Sequence, residues 1–123
     1  MRTKKLETMP DICEMVKWTN YEYDIWSLDL ADNNIQEITQ DLSCLKNLQD
    51  LYLSFNKIKK IDNLDWLSFV KKLDLGNNEI TEIDNLDKLT TLSDLHLWYN
   101  KINSTKWLEK LTNLTSLKLQ HNE

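Results

Sequence analysis

Apolar positions along this chain follow two alternating spacings, and the alternation recurs. Five segments align: Ile25 to Asn33, Leu48 to Asn56, Val70 to Asn78, Leu92 to Asn100 and Leu114 to Asn122. The closing asparagines step by 23 residues once and by 22 three times. Within the second segment Leu51 and Leu53 alternate with Asp50, Tyr52 and Ser54, the period of a short strand with one buried side. Beyond Asn56, Ile58, Ile61, Leu64 and Leu67 recur every third residue, which predicts a tight return of 3₁₀ type. No unit of this size can bury its own apolar edge. Stacked units share one core, so the pattern predicts a solenoid.

The asparagines Asn33, Asn56, Asn78, Asn100 and Asn122 mark the point where each strand ends and the chain turns inward. Backbone groups lose their sheet partners there. A buried carboxamide carries donors and an acceptor and can satisfy groups of its own unit and the next. Aspartate would bury a charge, and leucine would leave the backbone unpaired. These five positions therefore read as a structural ladder, not as ligands.

The repeated pattern L-x-x-L-x-L-x-x-N-x-I-x-x-I-x-x-L resembles the leucine-rich repeats, over roughly residues 25–123. The 22-residue step is similar to the short class seen in a phosphatase regulatory subunit and in bacterial internalins. The resemblance implies an α/β right-handed arc with five short parallel strands on the concave face and irregular or 3₁₀ returns on the convex one. It also implies binding on the concave face far more often than catalysis. Internalin repeats usually carry Ser-Pro after the second isoleucine; Asp62-Asn63 and Asp84-Asn85 stand here. Two irregularities bear on the returns. The first unit holds one extra residue, and Thr105 replaces the isoleucine found at Ile61 and Ile83. Both should perturb the convex side.

The chain reads as one domain, with an N-terminal segment over 1–24 and repeats over 25–123. Thr8-Met-Pro-Asp11 has capping-box spacing, and Ile12, Met15, Val16 and Thr19 fall on one face. These predict a capping helix over about 9–18, with Trp18 and Trp26 packed beneath it. Trp66 and Trp107 fall in the returns and read as half-buried packing residues. After the fifth strand no capping element appears, so Leu114, Leu117 and Leu119 would be covered on one side only. A homodimer through that edge is one expectation.

Composition narrows the class. The chain has 123 residues, a net charge of −5, one Gly and one Pro. Such scarcity of glycine argues against a phosphate loop, and the acidic balance argues against a direct nucleic-acid ligand. No apolar run reaches the roughly 18 residues of a membrane span. The basic start lacks the apolar stretch of a secretory signal. Cys13 and Cys44 lie far apart and are too few for a disulfide scaffold, so reduced thiols and a cytoplasmic location are expected. Two His and two Cys without ligand spacing give no metal signature and no cofactor is expected.

Outward strand positions can be read in columns. Ser27, Asp50, Lys72, Asp94 and Ser116 form one; Asp29, Tyr52, Asp74, His96 and Lys118 the next; Ala31, Ser54, Gly76, Trp98 and Gln120 the third. Asp32, Phe55, Asn77, Tyr99 and His121 precede the ladder asparagines. The candidate binding residues are Asp29, Asp50, Tyr52, Phe55, Lys72, Asp74, Asp94, His96, Trp98 and Tyr99. Tyr52 and Trp98 are the expected aromatic anchors, with Gly76 leaving a shallow pocket beside Trp98, while the aspartates select a basic partner surface. Phe55 and Tyr99 could equally pack along the repeat edge. An open sheet offers no water-excluding pocket, nucleophile or oxyanion donor pair, so an enzyme is not expected. The leading reading is a non-catalytic protein-binding module. The alternative is a small phage or mobile-element inhibitor of the anti-CRISPR type, occupying the basic surface of a nucleic-acid-handling defence protein. The third is a phosphatase-regulator-like scaffold.

Overall fold

The structure is a computed structural model that describes residues 5–16, 25–39, 43–65, 67 and 69–122. Five three-residue strands, β1 (Ser27–Asp29), β2 (Asp50–Tyr52), β3 (Lys72–Asp74), β4 (Asp94–His96) and β5 (Ser116–Lys118), form one parallel sheet in chain order. The register places Leu28, Leu51, Leu73, Leu95 and Leu117 side by side, and the two flanking outward columns align as the repeat spacing requires. Parallel neighbours need a crossover between them. Here each crossover is a compact return of leucines linked by i to i+3 bonds, as from Leu67 N–H to Leu64 O at 3.0 Å and Leu92 N–H to Leu89 O at 3.1 Å. The inward leucines and isoleucines of strands and returns make one core, with Leu51, Leu73 and Leu95 sealed from solvent. Full burial of each such side chain is worth about 1.5–3 kcal/mol.

The ladder works as a chain of bonds between units. Asn56 Nδ2 donates to Leu53 O (3.1 Å) and Ser54 O (3.3 Å) of its own turn and to Leu30 O (3.0 Å) of the unit before. Its Oδ1 accepts the Ile35 N–H at 2.9 Å. Asn78 and Asn100 repeat the set one unit further on each time. The partner unit is thus the preceding one, not the next, because the amide reaches back across the sheet edge as the chain leaves the strand.

A second ladder runs along the opposite side. Asn63 Nδ2 donates to Ile38 O (2.7 Å) and Asn85 Nδ2 to Ile61 O (3.0 Å), while the preceding aspartates Asp62 and Asp84 each accept the asparagine's own N–H at 2.9 Å. Asn113 Nδ2 donates to Thr90 O in the fourth return. The Asp-Asn pairs therefore bind unit to unit where internalin-like repeats carry Ser-Pro. Asn63 and Asn85 both hold positive φ, 56° and 61°, a region asparagine enters more readily than most residues.

The N-terminal segment extends the pattern backward. Leu6 N–H donates to Asn33 Oδ1 (2.8 Å) and Leu6 O accepts from Asn34 N–H (2.7 Å). These are the bonds that Ile35 makes with Asn56 and Lys57. Leu6, Met9 and Ile12 follow the three-residue step of a return, with Met9 and Ile12 buried in the core. The helix α1 spans Ile12–Val16, five residues. It starts later than the sequence predicts: Asp11, not Thr8, caps it, its Oδ1 accepting the Glu14 N–H at 3.0 Å. The remainder of the predicted helix, with Trp18, lies outside the described residues, as do Trp66 and the extra-residue region at 40–42.

The structure bears on four further expectations. Cys13 and Cys44 are not free thiols. They form a disulfide, because the first return folds back beneath α1 and brings Cα atoms 31 residues apart in sequence to 5.8 Å. Trp26 is 53% exposed rather than packed under a helix. The fourth return, entered through Thr105, contains the 3₁₀ helix Lys106–Lys110, with Trp107 half-buried and its Nε1 donating to Ser104 O at 2.6 Å. At the C-terminal edge Leu114, Leu117 and Leu119 are only partly buried, since one neighbouring unit covers them where two cover Leu92, Leu95 and Leu97.

Candidate functional site

Side chains that alternate outward along three-residue strands must share one face, and the register brings the ten candidates into one region of it. Asp29 sits on the first strand beside Tyr52, its Oδ1 accepting the Ala31 N–H at 2.9 Å. The centre is not a bare acidic patch. His96, only 7% exposed, lies between two carboxylates, with Nε2 2.8 Å from Asp94 Oδ1 and Nδ1 3.6 Å from Asp74 Oδ2. Asp94 Oδ1 is sealed from solvent and makes no well-angled hydrogen bond. Lys72 Nζ is 3.9 Å from Asp94 Oδ2 and 5.3 Å from the centroid of the Tyr52 ring. Asp74 Oδ1 accepts the Gly76 N–H at 3.0 Å. The central carboxylates therefore have partners within the sheet: Asp94 has Lys72 and His96, and Asp74 has His96 and the Gly76 N–H. That differs from the expected display of free aspartates, and Asp50 alone of the central acids makes no ion pair among the described residues. The cause is register, which sets Lys72 beside Asp94 and Asp74 beside His96.

Aromatic side chains dominate the sheet's C-terminal rim. A Cβ at Gly76 would overlap the indole of Trp98, so that ring lies on the glycine backbone and fills the space expected as a pocket. Phe55 and Tyr99 flank it edge-to-face, with centroids 5.5 Å and 5.6 Å away and interplanar angles of 72° and 82°. Tyr99 in turn stacks on His121 at 4.2 Å. Phe55 and Tyr99 pack along the repeat edge on one side and are each 49% exposed on the other.

Backbone geometry sharpens this. The residue before each ladder asparagine is left-handed: Asp32, Phe55, Asn77, Tyr99 and His121 have φ between 52° and 61°. Asn, Asp and His tolerate that region, whereas for a bulky residue it is an outlier. The cost is about 1–2 kcal/mol per residue. At Phe55 and Tyr99 ring contacts worth about 0.5–1.5 kcal/mol each offset part of it. Half of each ring nonetheless faces solvent. Strain held at exposed side chains is a signature of functional surfaces.

Three residues outside the candidate set, Lys118, Gln120 and His121, join Asp74, His96, Trp98 and Tyr99 around an open depression of about 480 Å³ at this rim. Their column positions were visible in the sequence. The stacking of His121 on Tyr99 was not.

A family profile for leucine-rich repeats in two copies matches residues 27–66. No curated protein matches the chain. Among solved structures, an internalin (InlF) of Listeria monocytogenes is similar at 31% identity and a TM-score of 0.69, over 79% of this chain and 29% of that one. Internalin C2 of the same species is similar at 34% identity and a TM-score of 0.70, over 81% and 44%. The functional domain of the Listeria InlJ, described as including a cysteine ladder, shares the fold at 24% identity and a TM-score of 0.64, over 93% and 27%. The chain thus carries leucine-rich repeats, with a 22-residue step between units. It spans less than half the length of each of these three proteins.

Proposed function

We propose that this chain is a non-catalytic protein-binding module whose contact surface is the sheet face and its aromatic rim. The observation that carries the reading is the pair Phe55 and Tyr99, half-exposed in strained backbone on either side of Trp98. Large rings at the centre of a contact and polar groups around them match the composition of binding hot spots. Tyr52 extends the same surface. Asp29 and Asp50 supply the negative charge that favours a basic partner, and Asp74 and Asp94 contribute less because the Gly76 N–H and Lys72 already engage them.

Affinity capture from the native host tests this, comparing the unaltered chain with Trp98→Ala and with the double variant Phe55→Asn/Tyr99→Asn. A partner retained by the first and lost at least ten-fold by both variants supports the reading; equal retention ends it. Repeating the capture at high salt separates an aromatic contact, which persists, from the electrostatic inhibitor alternative, which loses affinity steeply.

The Cys13–Cys44 bond supports a place of action where thiols stay oxidised, in place of the cytoplasm expected from the sequence. Thiol labelling of protein taken directly from its host decides between them. Sedimentation at rising concentration tests the homodimer through Leu114, Leu117 and Leu119.

A further inference from the structure

The depression beside Trp98 has a chemistry distinct from the acidic face around it. Asp74, His96, Lys118, Gln120 and His121 line it together with the Trp98 and Tyr99 rings. No single charge prevails. A cationic ligand would meet the exposed Lys118, and the one carboxylate facing it is 15% exposed and already accepts the Gly76 N–H. An anionic ligand would meet that carboxylate. A wall of carboxylate, imidazole, amide and ammonium groups is best satisfied by a neutral molecule whose groups both donate and accept, since each lining atom then finds a complement. The two rings ask in addition for an apolar C–H face. A saccharide has both.

The geometry points to a glycan-binding site in this depression, taking one or two sugar units of a carbohydrate borne by the partner. It rests on the reading that the Trp98 rim is the binding face, and it names the chemistry recognised there. Three features carry it. The depression is broad and shallow, about 480 Å³, and so suits contact with one face of a sugar ring. Its rings are fixed before a ligand arrives: Trp98 lies on Gly76, Tyr99 is braced edge-on by Trp98, and His121 stacks behind Tyr99 at 4.2 Å. A platform held in this way loses little freedom on binding. Finally, Tyr99 occupies left-handed backbone where its counterparts are Asp32, Asn77 and His121 apart from Phe55. An aromatic ring kept at that position despite its backbone cost is explained by a ligand that stacks on it.

The test is titration of the isotope-labelled chain with oligosaccharides of glucose, galactose, mannose and N-acetylglucosamine, following the indole N–H resonance of Trp98, identified by its loss in Trp98→Phe. The expected result is a saturable shift with at least one of these probes. It should be insensitive to salt, weakened at least five-fold by Tyr99→Asn and by Gln120→Leu, and unchanged by Trp107→Phe on the opposite side. Tyr99→Asn keeps a residue suited to the backbone there, so loss of fold does not confound it. The inference is overturned if no oligosaccharide moves the resonance, or if N-acetylarginine amide moves it saturably instead. Should partner capture depend on Trp98 while no saccharide binds, the glycan reading falls and the protein-binding reading stands; should neither depend on Trp98, both fall.

Discussion

In the second and fourth turns of this molecule two adjacent residues do opposite work. Asn56, Asn78 and Asn100 point inward and are spent on backbone groups, while Phe55 and Tyr99 immediately before Asn56 and Asn100 point outward and are spent on nothing within reach except other rings. One position lowers the energy of the folded chain; its neighbour raises it. The left-handed residue turns the chain so that the next amide can enter the core, and that requirement is backbone geometry alone. Asn77 meets it at low cost and Tyr99 does not. The ladder therefore belongs to stability, and in the function proposed above the rim serves recognition, although they are one residue apart.

The sharpest way to break this contrast is at the ladder. Asn78→Ala leaves Ile58 N–H and the carbonyls of Leu53 and Leu75 without their partner inside the core. Unsatisfied buried groups cost about 1–3 kcal/mol each, so a loss of about 4 kcal/mol is expected by urea denaturation. Asn122→Ala, at the half-buried last rung, should cost clearly less. Equal losses would show that the rungs do not depend on burial.

The next effect in size concerns the N-terminal anchor of the ladder. Opening the Cys13–Cys44 loop, by reduction or by Cys13→Ser with Cys44→Ser, removes a constraint of 31 residues. The chain-entropy relation gives about 3–4 kcal/mol for a loop of that length. Denaturation with and without reductant measures it, and unchanged stability would mean that Leu6 and Met9 hold the segment unaided.

The smallest effect is the most telling. Phe55→Asn relieves left-handed strain of about 1–2 kcal/mol and loses one ring contact of about 0.5–1.5 kcal/mol. Stability should therefore stay level or rise by under about 1 kcal/mol, while partner capture weakens. Tyr99→Asn gives up contacts to both Trp98 and His121 and should come out nearer neutral. A melting temperature that falls sharply in either variant would assign the rim to packing and remove the contrast.

Much of this was legible in the residues. Period two at Leu51 and Leu53 and period three from Ile58 to Leu67 are direct consequences of strand pleat and tight return, so strand positions, column register and the Asn ladder followed from spacing. The second ladder at Asn63 and Asn85 was also written there, but read only as a departure from a family pattern. Its role depends on carbonyls one unit away. Asp74, Asp94, Lys72 and His96 were identified as neighbours, yet which charge each would answer depends on side-chain reach across the sheet, not on column membership.

By itself the sequence determined the solenoid, because a repeating apolar pattern of fixed step has one economical way to bury itself, by stacking in register. Only the tertiary structure decided that two cysteines 31 residues apart meet, that Trp98 lies on Gly76 instead of leaving it open, and that Phe55 and Tyr99 stand exposed at a strained rim. Those outcomes depend on distances between units and on backbone handedness at single residues, and neither quantity is carried by the order of amino acids along one strand.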